Sequence, residues 1–361
     1  MEDRRKRGRW VSILVSLVVM ALATVLVAAL PQLVGATWGA IGLSLSAVPV
    51  ITLVALVALW FVGLLVHVPV MIAAMPGLRP RQALTLNLSG SAVSNVLPFG
   101  GPAGMGLGYA MARSWGFGAD RFASFTVSIN LWNALGKFAA SLVILAAAGA
   151  FGLEMPSGLG PIVLSATIFM TVAAGAGVLV FRSERSTGAC GRLLDRLVHR
   201  ARPHATPGAC LRWLLDSRRE LAIAVRRGWR TMSIGVLAYL VLQATLLGAC
   251  LAAVGSGATI PVIAVAFAIE RLISLAPFTP GAAGVAELGT VAALHSFGVD
   301  PVPAAAGVLL YRILMFALEI PVGGVLAFVW ARRRRVRIGD VSLVVPELLA
   351  VRPDEAPELV A

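Results

Sequence analysis

Long apolar runs separated by short polar turns fill the chain, at about 10–30, 48–74, 122–150, 159–181, 231–254 and 303–330. Each is about 20 residues or longer, the length an α-helix needs to cross a bilayer, so the pattern predicts about six full transmembrane helices. Two further apolar segments, about 84–112 and 262–297, are interrupted in the middle. The first break reads Asn95-Val-Leu-Pro-Phe-Gly-Gly-Pro-Ala-Gly104 and the second Ser274-Leu-Ala-Pro-Phe-Thr-Pro-Gly-Ala-Ala-Gly284. A Gly-x-Asp follows each, as Gly118 to Asp120 and Gly298 to Asp300. Irregular backbone at membrane depth carries N–H and C=O groups that hydrocarbon cannot satisfy, so it survives only inside protein or beside a polar cavity. Pro98, Phe99, Gly100 and Gly101, with Pro277, Phe278, Pro280 and Gly281, are therefore expected at the tips of two re-entrant helical hairpins. Each half of a broken segment is near 14 residues, short for a crossing.

Composition agrees with this pattern. The chain is 58% hydrophobic and 13% charged with a mean hydropathy of +0.89, whereas soluble domains carry about 25% charged residues. An all-α, polytopic membrane protein is expected. The basic start, Arg4 to Arg9, followed by the apolar run Trp10 to Leu30, mimics a signal peptide, but the run is too long for a signal h-region.

The formal charge of +13 does not point to nucleic acid, because the basic residues cluster beside apolar spans. Of 30 Lys and Arg, five lie in residues 4–9, twelve in 182–230 and five in 332–337. That is the orientation signal of cytoplasmic segments. With each broken segment taken as a hairpin that leaves on its side of entry, every outer loop (31–47, 151–158, 255–261, 298–302) is free of Lys and Arg. Both termini are then cytoplasmic in a bacterial inner membrane. The first hairpin enters from inside and the second from outside, an inverted repeat of the kind transporters use to expose one midplane site alternately. The domain reading is a single integral membrane domain over 1–335, with repeat 1 at about 84–150, a cytoplasmic basic loop at 182–230 and repeat 2 at about 262–330. Residues 336–361 read as a disordered cytoplasmic tail. The basic loop interleaves Leu193, Leu194, Leu197 and Val198 with arginine, which suits either an anionic inner leaflet or an ordinary pair of short helices.

Polar residues inside the spans fall on shared helix faces. Asn87, Ser91 and Asn95 line the first hairpin; Asn130, Asn133 and Lys137 line the span after it. Glu270, Arg271, Ser274 and Glu287 belong to the second hairpin, and Arg312 and Glu319 to the last span. At an offset of 179 residues Arg312 aligns with Asn133. Ionised groups in a bilayer face a cavity or one another. Those placed at depth are Glu270, Glu287 and Glu319 against Lys137, Arg271 and Arg312, which can form a neutral network. One reading is a salt-bridge lattice that fixes helix register, and Glu319, near the end of the polar stripe, suits it best. The other is a site in which Arg271 and Arg312 hold a phosphate by charge-assisted hydrogen bonds, aided by backbone N–H groups at Gly100, Gly101 and Gly281. Glu270 and Glu287 would then balance the empty site or meet a cationic head group.

Other signals are weak. His67 stands alone on an apolar span and reads as core; Glu287 and His295 are titratable but carry no proton-coupling motif. Cys190, Cys210 and Cys250 lack metal or disulfide spacing. No Walker lysine, Gly-x-Ser-x-Gly or His-Glu-x-x-His motif is present, so no ATP hydrolysis, catalytic residue, metal or cofactor is expected.

The order Asn87-Leu-Ser-Gly, Asn95-Val-Leu-Pro-Phe-Gly-Gly, Glu270-Arg-Leu-Ile-Ser-Leu-Ala-Pro-Phe-Thr-Pro-Gly-Ala-Ala-Gly-Val-Ala-Glu287 and Leu310-Tyr-Arg312 resembles the membrane domain of the lysylphosphatidylglycerol synthase/flippase family. The resemblance spans roughly residues 10–335. It implies a domain that flips aminoacylated phosphatidylglycerol between leaflets, beside a soluble domain that makes the lipid. The chain runs only to Ala361, so that soluble domain is not expected, and translocation rather than aminoacyl transfer is implied. The expected activity is thus a flippase for an anionic or aminoacylated phospholipid, or a polyprenyl phosphate, with membrane lipid as partner and a separate lipid-modifying enzyme as a further one. The alternatives are a membrane-embedded transferase with Glu270 or Glu287 as base, or a scaffold for an envelope enzyme.

Overall fold

The computed structural model describes residues 18, 21–22, 24–96, 100–153, 159–201, 208–275 and 282–334, and these form helices joined by short turns, with no strand among the described residues. In chain order the helices are α1 (Thr24–Leu33), α2 (Trp38–Ser46), α3 (Val50–Ala74), α4 (Pro80–Val96), α5 (Gly100–Ser114), α6 (Ala119–Ala150) and α7 (Leu159–Arg182). They continue with α8 (Glu184–Ala201), α9 (Ala209–Ala253), α10 (Ile260–Ile273), α11 (Val285–Ser296), α12 (Pro301–Arg312) and α13 (Glu319–Arg334). A single π turn, Ile313–Ala317, joins α12 to α13.

Four of the described helical stretches are long and apolar enough to cross a membrane: Val50–Ala74, Ala119–Ala150, Gly228–Ala253 and Pro301–Arg333. These match four of the six expected spans. The span expected at 159–181 forms the continuous helix α7. The span expected at 10–30 is described only in its later part, where α1 bends by 91° into α2. The expected outer loop 31–47 is therefore largely helix. The chain turns at Gly35, whose φ of +75° favours glycine, and Thr37 caps α2 by accepting from Ala40 N at 3.2 Å. A hydropathy pattern registers apolar length but not such a bend.

The stretch 182–230, expected as a basic loop with a pair of short helices as one reading, is helical over most of its described length. α8 packs along the first half of α9, and Asp195 on α8 accepts hydrogen bonds from Cys210 N (2.9 Å) and Leu211 N (3.2 Å), capping a helix whose own N-cap, Gly208, has no side chain. α9 runs unbroken for 45 residues, about 68 Å at 1.5 Å per residue, so its basic first part lies outside any single bilayer crossing.

The two broken segments are helix pairs. α4 and α5 run antiparallel, since Gly104 meets Gly90 and Ser94 while Gly108 meets Leu86. α10 packs against α11, where Gly289 meets Ile273. The second pair has legs of 14 and 12 residues, about 21 and 18 Å long against a hydrocarbon core of about 30 Å, and α5 has 15. Pro98, Phe99, Pro277, Phe278, Pro280 and Gly281 lie outside the described residues, as does the tail 336–361; Gly100 and Gly101 open α5.

Each pair packs on the long helix that follows the other. α4 lies on α13, where Gly323 comes so close to the Leu88 carbonyl that a side chain has no room, and α10 lies on α6. Ser89 Oγ donates to Gly323 O at 3.2 Å across the first contact, and Ser141 Oγ donates to Ala268 O at 3.1 Å across the second. α3 and α9 pack together along the middle, with Gly235 admitting Val70. α12 packs on α9 and α2.

Candidate functional site

Four ionic side chains meet where α10, α11 and α12 converge. Glu270 and Arg271 lie in the last turn of α10, Glu287 in the first turn of α11, and Arg312 ends α12. Glu270 and Arg271 pair directly. Glu270 also accepts from Arg312 Nη1 at 3.4 Å, and Glu287 accepts from Arg312 Nε at 2.7 Å. The other oxygen of Glu287 accepts from Gly284 N at 2.7 Å, which holds the carboxylate at the start of α11. Arg271 Nη1 donates to Gln243 Oε1 (2.9 Å) and Nη2 to Tyr311 OH (3.0 Å). The guanidinium groups lie over Phe267 (5.0 Å) and Phe316 (4.1 Å). All four charged residues are buried, at 1–6% exposure. A buried ion is tolerated when its lone pairs and protons are met, and both oxygens of each carboxylate here have donors.

The quartet is neutral, and the next cation beside it is not. Lys137 of α6 donates to Ser274 Oγ at 3.2 Å, and Ser274 in turn donates to the Arg271 carbonyl at 2.8 Å. Lys137 is within electrostatic reach of Arg271, Glu270 and Arg312, yet no carboxylate among the described residues is within ion-pair distance of its Nζ. Among the described residues, the cluster around the second hairpin thus holds one more cation than anion. Just beyond Arg312 the helix widens into the π turn, with Leu318 N donating to Ile313 O at 2.9 Å. Such turns occur often at functional sites.

The first hairpin gathers a different set. Ser91 donates to the Glu319 carboxylate of α13, and Asn95 Nδ2 donates to Ser91 Oγ at 3.4 Å. The buried indole N–H of Trp60 on α3 lies near Glu319 without forming a hydrogen bond of good geometry. Tyr239 of α9, beside Gln243, is within electrostatic reach of both Glu319 and Arg271, and His67 stacks on its ring at 4.8 Å.

The residues expected to form one site therefore divide. Glu270, Arg271, Glu287 and Arg312 meet, with Lys137 adjacent; Ser91 and Asn95 meet Glu319 instead. Asn130 is exposed and donates to Thr126 O of its own helix, while Asn87 and Asn133 are half-buried. Gln243 and Tyr239 were not expected, and Tyr311 entered only through the Leu310-Tyr-Arg312 motif. A single amide in an apolar span is itself a signal, since an intramembrane polar group has to find a partner.

A family profile described as Lysylphosphatidylglycerol synthase TM region matches residues 9–323. The chain belongs to this family. Membership in the lysylphosphatidylglycerol synthase TM region family, together with the apolar helices, makes it a multi-pass membrane protein with a membrane lipid-related function. Both ionic clusters fall within the matched residues. Comparison with curated proteins gives no match.

Proposed function

We propose that this chain moves a lipid with an anionic phosphate head group between the leaflets of the bacterial inner membrane, without ATP hydrolysis. Aminoacylated phospholipids and polyprenyl phosphates fall within that class. The observation that carries the reading is charge: a neutral quartet, whose carboxylate oxygens all have donors, beside Lys137 gives the region of the second hairpin a net attraction for one anion. Arg271 and Arg312 supply planar donors and Lys137 a mobile point charge. Tests of the transferase alternative start from a free base, and both Glu270 and Glu287 are held by arginine.

In this reading the hairpins are re-entrant, enter from opposite faces and belong to an inverted repeat. Three features support it. The hairpins exchange partners, α4 on α13 and α10 on α6. The hydrogen bonds across these contacts join equivalent places, since Ser89 and Ala268 are 179 residues apart and Ser141 and Gly323 are 182 apart. The N-caps of α6 and α12, Gly118 and Asp300, are also 182 apart. That helix offset pairs Arg312 with Asn130, one turn from Asn133, and Glu319 with Lys137.

Reconstitution tests the function. In liposomes carrying the protein, labelled anionic phospholipid is expected to exchange leaflets faster than in empty vesicles. No excess exchange for anionic, zwitterionic or polyprenyl-phosphate lipids would sink the proposal.

A further inference from the structure

We infer that Glu319 is a proton-binding site and that one proton travels with each monoanionic lipid; this rests on the translocation reading above. The carboxylate is 7% exposed near the middle of the span Pro301–Arg333, and no cation among the described residues is within ion-pair distance of it. A buried carboxylate without a cation beside it is costly to keep ionised, and taking up a proton removes the charge.

Its surroundings suit both states. From α4, Ser91 donates to it and Asn95 supports Ser91. From α3, Trp60 is 7% exposed and its indole N–H, near the carboxylate, lacks a hydrogen-bond partner. From α9, Tyr239 is the titratable group in reach, with His67 of α3 stacked behind it and its Nδ1 also unpartnered. The two residues that sequence offered for proton coupling are engaged: Glu287 by Arg312 and Gly284, and His295 Nδ1 with Val299 O at 3.2 Å.

Charge balance gives the stoichiometry. Glu270, Glu287 and Glu319 offset Lys137, Arg271 and Arg312, so the empty protein is neutral at depth. One anion at the Lys137 side and one proton at Glu319 leave it neutral again. A loaded and an empty protein that are both neutral cross the same electrostatic barrier, and the membrane potential does no work on either.

Two measurements test this. Infrared difference spectra of the protein in nanodiscs, recorded across pH, are expected to contain a protonated-carboxyl C=O band that disappears in Glu319→Gln; absence of a Glu319-dependent band overturns the proton site whether or not lipid moves. In proteoliposomes with labelled monoanionic phospholipid and a trapped pH dye, one-to-one coupling lets a gradient of one pH unit sustain about a tenfold leaflet asymmetry, with proton entry accompanying lipid. Glu319→Gln should exchange lipid yet lose both the asymmetry and the proton flux. Equal asymmetry in wild type and Glu319→Gln, or lipid exchange in wild type without proton flux, overturns the coupling. Absence of any exchange in wild type would instead overturn translocation, and the coupling with it, while the infrared band would still report the proton site.

Discussion

The two hairpins share a plan and differ in chemistry. Each packs on the helix that follows the other, and each meets a charge supplied by that helix: the buried Glu319, which opens α13, against the first hairpin and the half-buried Lys137, near the middle of α6, against the second. The first hairpin meets its charge with the neutral groups Ser91 and Asn95; the second surrounds its own with four ions that cancel. A common backbone arrangement therefore does not fix the sign of the charge it carries. Packing sets where a polar group must sit, and the individual side chain decides what that group can bind.

The strongest way to break this comparison is to remove Arg312. It holds both Glu270 and Glu287, so Arg312→Ala leaves two buried carboxylates short of a partner, a loss of about 3–5 kcal/mol in fold stability. Thermal unfolding in detergent checks it, and adding Glu287→Ala should recover part of the loss. An Arg312→Ala protein as stable as wild type would mean that the quartet is not a stabilising unit.

Lys137→Met sharpens the difference between the hairpins. It breaks no ion pair among the described residues, so stability should change by less than about 1 kcal/mol, the scale of one neutral hydrogen bond. Exchange of anionic lipid should slow by about tenfold, equivalent to about 1.4 kcal/mol, while zwitterionic lipid is unaffected. Equal slowing of both lipids would mean that Lys137 shapes the path rather than selecting charge. The smallest effect is expected of Ser91→Ala, which removes one donor to Glu319 and should cost about 1 kcal/mol in thermal stability without altering lipid preference.

Much of this architecture is legible in the sequence, for identifiable reasons. Spans of 25 residues or more announce themselves by apolar length, as α3 and α6 do. Glu270, Arg271, Glu287 and Arg312 stand out because ions are rare in such segments, and their meeting follows from the need to neutralise one another. Three things escape this logic. The 91° bend after α1 depends on one glycine and one cap, which leave hydropathy unchanged. In the basic stretch 182–230, where a pair of short helices was one reading, Asp195 caps α9 from a neighbouring helix, a long-range contact that no local pattern records. Glu319 faces the first hairpin rather than the quartet, because the close approach at Gly323 turns α13 onto α4, and helical spacing within α13 cannot tell which neighbour its polar face will meet.

The opposed entry of the two hairpins is the claim on which the inverted repeat depends, and cysteine labelling tests it most directly. With Cys190, Cys210 and Cys250 replaced by serine, single cysteines at Ala103 and Ala283, both half-buried beside the breaks, are exposed to a membrane-impermeant thiol reagent from one side at a time. The account predicts labelling of Ala103→Cys from the cytoplasmic side and of Ala283→Cys from the outer side. Labelling of both from the cytoplasmic side alone would contradict it.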